Sequence, residues 1–573
     1  MRPLHRILGT FGGVRPFALA VLAGMAFGGV AIAAPPSGGP AVPDDGLPRT
    51  CLVLSGGGAR GAAHIGVLKV LEELRVPVHC IAGTSMGSIV GGLYASGLSP
   101  SALDETIRSI DWVDAFNDAP SRRRQPFRRK QDDLLPLFPI ELGVGKDGFK
   151  ATSGLISGQK IQFIFRQMTL HTLAVEHFDR LRIPFRAVAA DLADGSKVVL
   201  ADGSLAEAMR ASMAVPGVFT PVTRGKRVLV DGGITENLPV AVARAMGGER
   251  LIVIDISGSG REFRGDENAI GVLYQAFTII NGRNVEESKR LLTDRDLYIQ
   301  PELGDLKSTN FDRVADAIER GESATRVHAD ALSRFSVSES RYQAFLARHR
   351  LESSDLDRSI QIDEIKVAGT SRVASEQITS RIELQPGGQL DLSALREDLD
   401  RIFQIGEFTN VDFRIEPGQA AQRLVIETED KPWGPHYLRA GLSLNANLEG
   451  DSDFLALVHY RRTQLNRWGA EWQTVVTVGD INSVDSEFFQ PIGPQGNWFV
   501  RPRLELLENQ FLDRSGELDF SGVDVEGATL GLDAGVHLAN DAEISLGLEV
   551  GTVDVATQSA SGFEADLGGL RLG

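Results

Sequence analysis

From Thr50 to about Ile256, short apolar runs alternate with stretches of helical spacing, and no other feature restricts the chain as much. Cys51-Leu52-Val53-Leu54 reads as a strand that breaks at a glycine cluster. Residues 64–74 repeat their apolar positions at helical spacing, and residues 78–82 form another short apolar run. Residues 185–190, 227–230 and 251–256 read as further buried strands. Strands separated by helices imply a largely parallel sheet covered on both faces, an α/β domain. Polar helices over 311–320 and 323–335 close this unit by about Arg350.

A chain of 573 residues is too long for one ordinary core, so about three domains are expected. After the α/β unit, residues 360–367 alternate as a strand, and 374–382 and 392–405 carry helical spacing. Residues 411–415 and 424–428 alternate again, giving a small β-α-α-β-β module. Beyond Lys431-Pro432-Trp433 the period changes once more. Leu438, Ala440, Leu442, Leu444, Ala446 and Leu448 alternate with Arg439, Gly441, Ser443, Asn445 and Asn447. Comparable stretches cover 454–461, 471–478, 499–506, 523–532 and 544–550. About ten residues of dyad repeat suit a membrane-spanning barrel strand, though a soluble antiparallel sandwich alternates in the same way. Tyr437, Tyr460, Trp468, Trp472 and Trp498 are candidate interfacial aromatics.

The N-terminus reads as a secretory signal over residues 1–33. Arg2, His5 and Arg6 precede an apolar run over 17–33, and Ala31-Ile32-Ala33 offers a small-x-small cleavage site. The competing reading is a single transmembrane anchor, which this Ala/Gly-rich run suits poorly. Residues 34–49 form a Pro-rich linker. Export would permit a bridge between Cys51 and Cys80, but both lie on apolar strands, and two buried thiols fit as well. The formal charge of -17 argues against a nucleic-acid partner and gives no general attraction to anionic lipid.

The chemistry centres on Gly83-Thr84-Ser85-Met86-Gly87, which follows a strand and opens the small-residue helix over 88–96. This is the G-x-S-x-G context, in which a tight strand-to-helix turn exposes the serine and the helix N-terminus favours negative charge. Gly56-Gly57-Gly58-Ala59-Arg60-Gly61 also lies between strand and helix. It does not fit a Walker loop and fits a dinucleotide loop badly. It reads better as an oxyanion hole formed by backbone amides around Gly56, Gly57, Gly58 and Ala59. Arg60 is a candidate for orienting that loop or touching a phosphate headgroup, or equally for a structural salt bridge. A histidine base is not evident: His171, His177, His328 and His349 carry no motif, and His64 reads as a packing residue. Asp231-Gly232-Gly233 instead ends the strand Val228-Leu229-Val230, so its carboxylate should emerge beside Ser85 and act as base directly.

Together these residues resemble the patatin-like phospholipases. The glycine loop, the elbow around Ser85 with Gly83 and Gly87, and Asp231-Gly232-Gly233 match that family's three motifs in order. Gly61-Ala62-Ala63-His64-Ile65-Gly66-Val67-Leu68, Ala190-Asp191-Leu192, Ala211-Ser212, Phe219-Thr220-Pro221 and Asn237-Leu238-Pro239 extend the match over most of 50–335. The resemblance implies a three-layer α/β domain over 50–350 that cleaves phospholipid acyl esters through a Ser85–Asp231 dyad, with no metal or other cofactor. Residues 358–432 resemble a single POTRA domain, with Gly406-Glu407-Phe408 and Val411 at its late turn and strand. Residues 433–573, with Phe488-Phe489-Gln490-Pro491-Ile492-Gly493, resemble an Omp85-type outer-membrane β-barrel. Patatin, POTRA and barrel in that order is the arrangement of patatin-type autotransporters (type V secretion). Such barrels have about sixteen strands, whereas roughly six to eight fit here and the chain ends without a terminal aromatic, so the barrel is expected to be incomplete, the alternative being closure by another chain.

The basic cluster Arg122-Arg123-Arg124 and Arg128-Arg129-Lys130 is either a solvated loop or a dock for anionic headgroups. Met209, Met213, Val215 and Val218 are either plain core or the lining of an acyl pocket. The leading expectation is an exported phospholipase A or lysophospholipase at the outer membrane, its catalytic domain surface-exposed, secreted or periplasmic. The competing one is an outer-membrane assembly or translocation protein with an inert patatin domain; a serine peptidase or thioesterase would use the same apparatus. Phospholipid and membrane are the expected partners; a homodimer is plausible, though no motif supports it.

Overall fold

The computed structural model describes residues 46–120, 122–146, 148–258, 269–351, 359–369, 372–417, 422–446, 452–511, 523–538, 540–557 and 560–572. The expected signal peptide, the linker up to residue 45, and Asn447 and Leu448 lie outside them.

Strands β1 (Thr50–Leu54), β2 (Cys80–Thr84), β6 (Phe185–Asp191), β10 (Arg227–Asp231), β11 (Arg250–Ile254) and β12 (Leu297–Ile299) form the first sheet with β7 (Lys197–Leu200) and β9 (Val222–Arg224). Its order is β12-β11-β1-β2-β6-β10-β9, with β7 paired to β6. The run from β12 to β6 is parallel, and β7, β10 and β9 are antiparallel additions. Alternate residues of β1 feed two different cores. Leu52 and Leu54 pack with α1 (Ala63–Glu73) and α2 (Met86–Ala95), while Cys51 and Val53 face Leu238, Val242 and Val285 on the other side. The expected α/β sheet with helices on both faces is thus present. Cys51 and Cys80 sit side by side in the parallel register, with Cα atoms 4.6 Å apart, and are bridged. Of the two readings the sequence left open, the structure has the disulfide.

The second domain has a four-stranded sheet ordered β14-β13-β16-β15, built from β13 (Gln361–Ala368), β14 (Gly388–Gln389), β15 (Phe408–Pro417) and β16 (Gln422–Asp430). The two-residue β14 was not expected from the sequence. Helix α3 (Gln159–Met168) precedes this domain in sequence yet packs within it: Phe163 shares a core with Ile362, Leu395, Phe408 and Phe413. β15 is an edge strand, and α3 covers it. Gln159 Nε2 donates to the Val411 carbonyl at 2.6 Å, and its Oε1 accepts the Val411 amide at 2.7 Å. A side-chain amide therefore occupies main-chain groups that would otherwise be a template for another strand.

Eight antiparallel strands follow: β17 (His436–Ala446), β18 (Ser452–Arg462), β19 (Glu471–Gly479), β20 (Asn482–Ile492), β21 (Trp498–Phe511), β22 (Val523–Leu538), β23 (Ala542–Thr557) and β24 (Ala560–Leu572). Their register pairs each with the next, and the sheet does not close. Leu444, Phe454, Val478, Leu532, Leu546, Leu548 and Val550 are exposed on one face, whereas His459, Arg501, Asp533 and Ser545 are buried on the other. A soluble sandwich would cover its apolar face; this sheet leaves it open and turns its polar face inward, as barrel strands do. Trp472 and Trp498 are on the exposed face, but Tyr437 is not an interfacial aromatic. It is buried, and its hydroxyl donates to Glu407 Oε2 at 3.0 Å. Among the described residues no helix is long and apolar enough to cross a membrane.

The basic cluster divides in two: Arg122, Arg123 and Arg124 lie exposed on a turn, whereas Arg128, Arg129 and Lys130 are drawn onto the polar face of the large sheet. Arg128 Nη2 donates to Glu487 at 2.8 Å, and its guanidinium sits 3.9 Å above the Phe489 ring. Arg129 bonds Glu471 at 2.5 Å, Lys130 bonds the Asn540 carbonyl at 2.6 Å, and Arg124 bonds Asp400 at 3.0 Å. Asp132 and Glu141 in turn receive Arg461 at 2.8 and 3.0 Å. The polar inner face of the large sheet offers carboxylates, and charges removed from water must be paired. The hairpin β3 (Leu142–Gly145) and β4 (Gly148–Lys150) continues this docking by adding to the sheet edge, with Gly143 opposite Tyr437 and Leu142 opposite Leu438. A Cβ at Gly143 would strike the Trp433 backbone.

Candidate active site

Ser85 stands between β2 and α2 with φ 52° and ψ −123°, a strained conformation for a residue with a side chain. The turn is too tight for side chains on either flank. A Cβ on Gly83 would strike the Gly87 carbonyl, and one on Gly87 would strike the Leu54 carbonyl. The conformation is held by Ser212, whose Oγ accepts the Ser85 amide at 2.9 Å and donates to the Val188 carbonyl at 2.6 Å.

The glycine loop leaves β1 and runs under Ser85. A Cβ on Gly56 would lie 3.0 Å from the Ser85 Cβ and 2.5 Å from Asn237 Oδ1. The amide of Gly56 donates to the Asn237 carbonyl at 3.2 Å, and that of Ala59 to the Ser308 carbonyl at 2.8 Å. These two donors, expected in the oxyanion hole, are therefore already engaged, which narrows the expected set to Gly57 and Gly58. Gly58 adopts φ 59°, a backbone shape that favours glycine.

Asp231 ends β10 opposite Ala189 and is almost fully buried. Its Oδ1 accepts the Gly233 amide at 2.8 Å. Oδ2 is buried without a well-aligned hydrogen bond, although the Ser85 hydroxyl is near enough to favour the ionised carboxylate. Burial dominates, pushing the carboxyl up to about 6 against the pull of Gly233 and Ser85. Gly232 is required because a Cβ there would strike the Val188 carbonyl.

Sequence reasoning missed the support behind this turn. Asn284 Nδ2 donates to the Gly233 carbonyl at 2.6 Å, and its Oδ1 accepts the Asn237 amide at 2.8 Å. No sequence signal marked it, because the helix Ala269–Lys289 also carries Gln275, Asn281, Arg283 and Glu286. His64 is a packing residue, its Nε2 donating to the Ser55 carbonyl at 2.9 Å and its pKa pushed down to about 4 by burial. His177 and His349 are engaged with the Asp179 amide and the Phe345 carbonyl. Arg60 lies against Gly258 with its Nε buried and without a hydrogen bond; burial lowers its pKa, while Asp255 and Tyr274 oppose the shift. Met209 and Met213 are core residues, and Val215 and Val218 are partly buried against the same core.

A sheet of this topology, with a strained serine after one strand and a buried aspartate after another, defines an α/β domain of the patatin type. Residues 52–244 match the family described as Patatin-like phospholipase, and residues 360–431 match POTRA, described as Surface antigen variable number repeat. The chain thus carries a patatin-like domain followed by a POTRA domain. It is similar to an uncharacterised NTE family protein of Mycobacterium tuberculosis, 35% identical over 37% of this chain and 50% of that one. It is also similar to human Patatin-like phospholipase domain-containing protein 6, 34% identical over 36% of this chain and 13% of that one. The chain thus spans half or less of the length of these curated relatives. Among solved structures, BamA from Haemophilus ducreyi is similar over 38% of this chain and 43% of that one, at 11% identity and a TM-score of 0.30. VipD from Legionella pneumophila is similar over 49% and 67%, at 15% identity and a TM-score of 0.29. The architecture described above rests on this chain's own topology and register.

Proposed function

We propose that this protein hydrolyses acyl esters of phospholipids, with Ser85 as nucleophile and Asp231 as general base. The Ser85 oxygen attacks the ester carbonyl while its proton passes to the Asp231 carboxylate, and the amides of Gly57 and Gly58 bind the resulting oxyanion. Collapse expels the lysolipid alkoxide, which takes that proton and leaves an acyl-enzyme. Water then gives its proton to Asp231, attacks the acyl carbonyl, and releases the fatty acid as the serine is restored. The observation that carries this reading is the buried carboxylate beside a serine held at φ 52°. The lipid substrate is supported by the match to the patatin-like family.

An outer-membrane location is part of the proposal, supported by the POTRA match and by the exposed apolar face of the large sheet. The Cys51–Cys80 bridge supports export, since disulfides persist in oxidising compartments. The test is fatty-acid release from mixed phospholipid vesicles by the full chain, beside Ser85→Ala and Asp231→Asn, with chelator present. Release by the parent alone supports the dyad. A folded parent that releases nothing from phospholipids or simple esters favours the assembly and translocation reading.

A further inference from the structure

We infer that the POTRA domain is a positioning element of the active site: its Asp412 fixes the helix that holds Ser85 in its reactive conformation. The inference rests on the reading of Ser85 as nucleophile.

Asp412 lies on β15 and is buried against α3. Arg166 donates to it from Nε at 3.0 Å and from Nη2 at 2.6 Å, and Gln162 Nε2 donates at 3.0 Å. The same guanidinium reaches in the opposite direction, its Nη1 donating to Ser204 Oγ at 2.5 Å. Ser204 is the N-cap of α4 (Leu205–Ser212), accepting the Glu207 amide at 3.3 Å. The last residue of α4 is Ser212, whose oxygen holds the Ser85 amide.

Helix α3 grips α4 at a second point. The Ser157 carbonyl, just before α3, accepts Arg210 Nη2 at 2.8 Å, and the same nitrogen reaches the Thr220 carbonyl at 2.9 Å. One helix therefore faces the POTRA edge strand and the elbow-supporting helix at once. Arg166 is the joint. Without Asp412 its buried charge would lose its ion-pair partner, with only Glu207 and Glu427 acting from farther off, so the side chain turns to water and abandons Ser204. A short helix released at its cap shifts as a unit, and Ser212 shifts with it. Nucleophile placement tolerates little displacement, since an error of about 1 Å costs about a hundredfold in rate.

The test uses the full chain in detergent, with a soluble short-chain ester as substrate and a fluorophosphonate as the probe of Ser85. Asp412→Asn is expected to lower kcat and the phosphonylation rate about tenfold while KM changes less than about twofold. Asp400→Asn removes another interdomain ion pair, with Arg124, that has no link to α4, and should match the parent. Ser204→Ala breaks the relay without disturbing the buried pair and is expected to lower kcat about threefold in the same pattern. It decides the matter if Asp412→Asn does not fold. Parental kcat and labelling rate per folded molecule in Asp412→Asn, or in Ser204→Ala where only that variant folds, overturn the inference while leaving Ser85 as nucleophile. A folded parent that neither cleaves the ester nor takes the phosphonate overturns both.

Discussion

The Gly233 amide lies 2.8 Å from Oδ1 of Asp231, two residues back along the chain, and so steadies the carboxylate without reaching its second oxygen. In the proposed mechanism it is Oδ2 that takes the proton from Ser85. Gly233 is in turn fixed through its carbonyl by Asn284.

This arrangement sets the pH dependence of activity. As the proposed base, Asp231 would have to be ionised to accept the serine proton, and burial raises its carboxyl from 3.8 to about 6. Activity on a soluble ester should climb as pH passes through about 6 and level off above it. A kcat profile already flat at pH 5 would contradict a base titrating near 6.

The same shift bears on stability. The folded state holds the Asp231 proton more tightly than the unfolded chain does. Its contribution therefore favours folding below about pH 4 and is lost as pH rises through about 6. Asp231→Asn should gain stability over the parent at pH 8, by an amount on the order of 3 kcal/mol, and less at pH 5. Denaturant midpoints at the two pH values read this directly; equal gaps would contradict it.

Gly56→Ala tests the approach of the glycine loop to Ser85. The new methyl would press on the Ser85 Cβ and Asn237 Oδ1 at 3.0 and 2.5 Å. A kcat loss of about a hundredfold is expected, with thermal unfolding changed far less. Retained activity would place the loop farther from the serine than described.

The Cys51–Cys80 bridge is buried at both sulfurs, so reductant should not reach it in the folded protein. Alkylation of the denatured chain, read by mass, should add two groups only after reduction. Alkylation without reductant would show free thiols. Loss of the bridge should cost about 3 kcal/mol of stability through the freed loop.

Arg129→Glu should weaken the seating of residues 122–145 on the large sheet, because it sets a third carboxylate beside Glu471 and Asp132. Limited proteolysis should cut that stretch several times faster than in the parent, with other sites unchanged. Equal rates would show that strand pairing alone holds it.

The strand-helix alternation made the first domain legible, because buried parallel strands are apolar throughout and end at glycines with a steric task. Gly83, Gly87 and Gly232 each face a carbonyl that excludes a Cβ. Dyad repeats likewise made the large sheet visible, including its exposed apolar face. What the sequence did not show is where long-range partners lie. Arg128 and Arg129 look like part of a surface run until Glu471 and Glu487 are brought beneath them. Tyr437 looks like a girdle aromatic until Glu407 is placed against its hydroxyl. The Gly56 and Ala59 amides look free until Asn237 and Ser308 arrive from other elements.

The pairing of β3 with β17 also orders events in time. Delivered from the N-terminus, Leu142 and Gly143 arrive long before Leu438 and Tyr437, so this stretch emerges with no edge to join. The Ser85 region can gather around β1, β2 and β6 early, but the segment carrying Arg128 and Arg129 must wait, charged and unpaired, for the final third of the chain. The first domain is therefore completed only by strands far along the chain, and a delay in them would leave residues 122–145 unseated.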